Sequence, residues 1–108
     1  MGQAENYVEQ YLVDTAEAKG MFVRKLVSPG RNGFPDRLII HRGRSVYVEL
    51  KSATGRLSAI QRKTISQMAD HGAEVCCVCS RLEVDALLAA ISTRAPQLPY
   101  RLDTDIWP

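Results

Sequence analysis

The chain has 108 residues, 45% of them apolar and 24% charged, with a formal net charge of +2. That length suits one domain with a modest core, and no apolar run approaches the roughly 20 residues of a membrane span. The start, Met1-Gly2-Gln3-Ala4-Glu5, has neither a basic segment nor an apolar signal core, so a cytosolic protein is expected.

Residues 3–19 read as a helix. Ala4, Val8, Tyr11, Leu12 and Thr15 recur at helical spacing, and Gly20 stops it. Glu5 and Glu9 lie one turn apart on one side, a repulsive spacing that a nearby cation or basic cleft would offset. Met21 to Val27 reads as a strand. The loop Ser28-Pro29-Gly30-Arg31-Asn32-Gly33 follows, with Arg24, Lys25 and Arg31 near its ends. Next come two apolar runs, Leu38–Ile40 and Val46–Leu50, about a turn at Arg42-Gly43, which is a hairpin pattern. In its second strand Val46, Val48 and Leu50 point one way, while Ser45, Tyr47, Glu49 and Lys51 point the other.

After a loop over 52–56, Ser58 opens a helix with Leu57, Ile60, Ile65 and Met68 on its apolar side, and Gly72 ends it. Ser58-x-x-Gln61 is a capping box, so Gln61 serves the helix start, a site beside it, or both. Glu74 to Ser80 reads as a buried strand. Its Cys76, Cys77 and Cys79 are too crowded for a disulfide framework and lack the second ligand cluster of a zinc site. Arg81 to Ile91 is amphipathic, with Val84, Leu87, Leu88 and Ile91 as its stripe. The expected division is a domain over 1–92 and a tail over 93–108. The tail's Tyr100, Ile106 and Trp107 need something to dock on, the core or a partner subunit. Helix, three strands, helix, strand, helix gives a four-stranded mixed sheet covered by helices, an α/β or α+β fold.

Charge is unevenly spread. Arg24 to Lys63 holds ten basic residues and two acids, Asp36 and Glu49, for +8, while the rest of the chain carries −6. A basic surface suits a phosphate backbone. The hairpin can bring the two carboxylates together beside Lys51, and converging carboxylates suit a hard divalent cation. A cation between carboxylates and phosphate, next to a lysine, suits phosphodiester hydrolysis.

Gly33-Phe34-Pro35-Asp36-Arg37, Val48-Glu49-Leu50-Lys51, and Gly55-Arg56-Leu57-Ser58 with Gln61 resemble the VRR-NUC (virus-type replication-repair nuclease) domain, a branch of the PD-(D/E)XK superfamily. The resemblance runs from about Glu5 to Leu88 and is closest in length to stand-alone phage and prophage versions. It implies a restriction-endonuclease-like core of order αβββαβα. It also implies an endonuclease dependent on Mg²⁺ or Mn²⁺, acting on Holliday junctions or other branched DNA as a homodimer, in the cytoplasm of a bacterial host. Asp36, Glu49, the Leu50 carbonyl and a helix glutamate, Glu9 ahead of Glu5, would hold the metal. Lys51 would act on water and phosphate, Gln61 would position the attacking water or a metal-bound group, and Arg24, Lys25, Arg31, Arg37, Arg56, Arg62 and Lys63 would meet DNA. The alternatives are a monomeric flap or nicking nuclease and a non-catalytic DNA-binding module. The second fits poorly, because acids in a basic cleft repel phosphate.

Overall fold

The computed structural model describes residues 4–27 and 33–102. Its elements are α1 (Glu5–Ala18), β1 (Phe22–Lys25), β2 (Arg37–His41), β3 (Arg44–Leu50), α2 (Ala59–Asp70), β4 (Glu74–Val78) and α3 (Arg81–Ser92), the expected order. The four strands form one sheet in the order β1-β2-β3-β4. The first three are antiparallel, and β4 runs parallel to β3. A parallel neighbour needs a long crossover, and α2 supplies it.

Alternation along the strands sorts side chains between two faces. Val23, Ile39, Val46, Val48, Leu50, Cys76 and Val78 meet Val8, Leu12 and Ala16 of α1 and Val84, Leu87, Leu88 and Ile91 of α3 in one buried cluster. Tyr11 Oη donates to Asp85 at 2.6 Å and ties these helices at their rim. The other face carries α2 over the β4 side, where Ile65 and Val75 are buried. Helix α2 uses less of its expected apolar side than the spacing implied: Ile65 is buried, but Ile60 is 54% exposed. The capping box is present, with Gln61 N–H donating to Ser58 Oγ at 3.1 Å and Ser58 N–H to Gln61 Oε1 at 2.9 Å.

The hairpin turn is two residues long, with Arg42 at φ 51° and Gly43 at φ 85°. Two left-handed residues make the type I′ turn that matches strand twist, and this fixes the register of β2 on β3. Strand β4 is shorter than Glu74–Ser80, because Ser80 turns out to cap α3 through Glu83 N–H. Beyond α3, Leu98 is buried, and the chain returns antiparallel to β4. Cys77 N–H donates to the Tyr100 carbonyl and Leu102 N–H to that of Val75. Ile106 and Trp107 lie outside the described residues.

Candidate active site

Hairpin register builds this site. Arg37 pairs with Val48, so the ladder carried one step further sets Asp36 against Glu49. Opposed residues of an antiparallel pair share a face. Asp36 Oδ2 accepts the Leu50 N–H at 2.9 Å. An extended residue sends its N–H and carbonyl to the same side, so the Leu50 carbonyl opens toward Asp36 too. Gly33 lets this segment lie against α2: it sits at φ +101°, and a Cβ there would come 2.7 Å from Ile60 Cγ2 and 2.8 Å from the Ile60 carbonyl. Phe34 packs edge-on against Tyr47 with ring centres 6.2 Å apart.

The third carboxylate comes from the first turn of α1. One carboxylate oxygen each from Glu5, Asp36 and Glu49 lies within 4.8 Å of the others. Glu9, the residue favoured from sequence, is elsewhere: its Oε2 accepts from Arg37 Nε at 2.8 Å. Parity explains this. Arg37 is one residue past Asp36, so it points to the α1 side of the sheet, where it meets Glu9. Sequence spacing left the two glutamates as rivals. Where α1 lies along the sheet brings Glu5, and not Glu9, to the other two carboxylates.

Glu49 is 1% exposed. Its Oε2 accepts from Gln61 Nε2 at 2.9 Å and lies 3.3 Å from Lys51 Nζ, while Oε1 is buried without a hydrogen-bond partner among the described residues. Burial pushes the Glu49 carboxyl up to about 7; the charges of Asp36 and Glu5 add to this and Lys51 opposes it. A buried carboxylate oxygen without a donor is costly. A cation among the three carboxylates would relieve both the desolvation and the repulsion, and hard oxygen donors of this kind fit a hard divalent ion.

Gln61 serves two ends at once, its amide oxygen on the Ser58 N–H and its amide nitrogen on Glu49. The loop that follows lies beside Lys51: Gly55 N–H donates to the Ser52 carbonyl, and a Cβ on Gly55 would stand 3.4 Å from Lys51 Cβ and Cδ. Of the basic residues read as DNA contacts, Lys25, Arg56, Arg62 and Lys63 are exposed. Arg24 is exposed too, with its guanidinium stacked 4.1 Å over the Phe22 ring. Arg37 is half-buried and engaged with Glu9, and Arg31 lies outside the described residues. The structure thus adds what spacing alone did not: Gln61 holds Glu49 directly, Gly33 lies tight against α2, and Gly55 lies beside Lys51. The paired glycines flanking Pro35-Asp36 and Glu49-x-Lys51 were the available signal.

No protein-family model matches the chain. It is 29% identical over 89 residues to "Putative nuclease p44" of Acyrthosiphon pisum secondary endosymbiont phage 1, an overlap of 82% of this chain and 95% of that protein. A solved structure described as a VRR_NUC domain aligns with a TM-score of 0.72 at 34% identity, over 79% of this chain and 94% of the other.

Proposed function

The chain belongs to the VRR-NUC nuclease family, and on that footing we propose that it is a divalent-metal-dependent endonuclease for branched DNA, Holliday junctions foremost, working in the cytoplasm of a bacterial host. The observation that carries the metal requirement is Glu49: buried, with an oxygen unpartnered among the described residues, against Asp36 and Glu5. Asp36, Glu49, Glu5 and the Leu50 carbonyl would hold Mg²⁺ or Mn²⁺. Such an ion acts as a Lewis acid on the phosphate and lowers the pKa of its bound water.

The chain's own groups do the rest. The Lys51 ammonium stands beside Glu49 and faces the charge that develops on the phosphate. The Gln61 amide fixes the Glu49 carboxylate from the N-terminus of α2, so that Glu49 keeps one orientation. Arg24, Lys25, Arg56, Arg62 and Lys63 are exposed, and their positive charge would draw the phosphate backbone in. Glu9 holds Arg37 in place. Residues 1–92 form the nuclease domain, and the segment from 93 packs upon it through Leu98. Two symmetric cuts in a junction need two such centres, so the working unit is a homodimer.

Cleavage of labelled four-way junctions tests the proposal. Wild-type protein cuts with Mg²⁺ or Mn²⁺ and not with chelator. Asp36→Asn and Glu49→Gln lose cleavage yet bind the junction at least as tightly, since each removes negative charge from a basic surface. Wild-type rates from Asp36→Asn in Mg²⁺ would remove the metal site.

A further inference from the structure

The +8 stretch is longer than the site it surrounds. Arg42 and Arg44 lie at the hairpin turn, and β3 runs from Arg44 to Leu50, which puts them roughly 20 Å from the carboxylates at about 3.3 Å per residue. There His41 to Arg44 and the end of α3, with Ile91, Arg94 and Pro96, line an open depression of about 430 Å³ with no carboxylate among its described lining residues. Arg44 is already committed, to Glu74 at 2.7 Å and to the Ala95 carbonyl. Arg42 and Arg94 are exposed and enter no ion pair among the described residues. Arg94 Nη2 donates to the Arg42 carbonyl at 3.4 Å, so the two are tied together.

Both arginines have left-handed backbones, φ 51° at Arg42 and φ 58° at Arg94. The backbone itself needs this: one sits in the type I′ turn, the other just past the C-cap of α3. At both places glycine or asparagine fits with least strain. The negative end of α3 favours a cation at 94, but nothing similar acts at 42. What the two share is a depression with no carboxylate among its described lining residues.

We propose that Arg42 and Arg94 form a second phosphate-backbone contact, separate from the one at the cleaved bond. This rests on the nuclease reading above.

The test is binding of fluorescent duplexes in chelator, compared between wild type and the double variant Arg42→Gly, Arg94→Gly. Glycine suits both backbones, so melting temperature stays level or rises. The plot of log affinity against log salt becomes shallower by about 2, at about 0.9 per phosphate released, which is about a tenfold smaller affinity loss between roughly 50 and 200 mM salt. Arg42→Lys with Arg94→Lys keeps the wild-type slope. An unchanged slope overturns the proposal and assigns the depression to some other partner. Metal-dependent cleavage by the wild type is scored separately: its absence sinks the nuclease reading, whereas intact cleavage with an unchanged slope sinks this contact alone.

Discussion

Glu49 makes the stability of the metal-free protein depend on pH in an unusual direction. Its carboxyl titrates at about 7 in the fold against an ordinary value of 4.5, because burial and the neighbouring Asp36 penalise the charged form. Between those values the folded state holds a proton that the unfolded chain has released, so stability falls as pH rises. Below 4.5 the group is neutral in both states and contributes no penalty; above about 7 the penalty is complete. At about 1.4 kcal/mol per pH unit this amounts to about 3 kcal/mol. Urea unfolding in chelator from pH 4.5 to 8 would show it as a difference between wild type and Glu49→Gln, which cancels the other groups that titrate in this range. The wild type loses stability relative to the variant across the interval. Mg²⁺ or Mn²⁺ at pH 8 restores it in the wild type and does little for the variant. Parallel stability profiles for the two proteins would refute the claim that Glu49 is buried against like charge.

Three further outcomes are expected. Lys51→Ala lowers the single-turnover cleavage rate on the order of 10²-fold or more at saturating metal, with metal affinity little changed; full rescue by extra Mn²⁺ would contradict its role in the chemical step. Gly33→Ala drives a Cβ to 2.7 Å from Ile60 Cγ2 at φ +101° and destabilises by about 1–3 kcal/mol, visible as a lowered urea midpoint; an unshifted midpoint would show that the 33–36 segment gives way freely. Light scattering at micromolar concentration reads a dimer, and a clean mass near 12.0 kDa, with or without a junction, would end that part of the functional reading.

Sequence by itself determined the element order, the hairpin and the face on which Glu49 and Lys51 sit. These follow from local rules. Period-two alternation places side chains without reference to the rest of the fold, a two-residue turn sets register, and Ser58-x-x-Gln61 marks a helix start. Charge counting also singled out Asp36 and Glu49, since composition needs no coordinates. The choice between Glu5 and Glu9 was beyond it. One helical turn separates them, both flank the same apolar stripe, and only the placement of α1 along the sheet decides which meets Asp36 and which meets Arg37. The double role of Gln61 was open to sequence, but not its partner, because a capping residue is recognised locally while its bond to Glu49 spans α2 and β3. Tertiary structure also divided the basic stretch. Residues adjacent in sequence around Gly43 lie a strand's length from the carboxylates, a separation that charge counting along the chain cannot register.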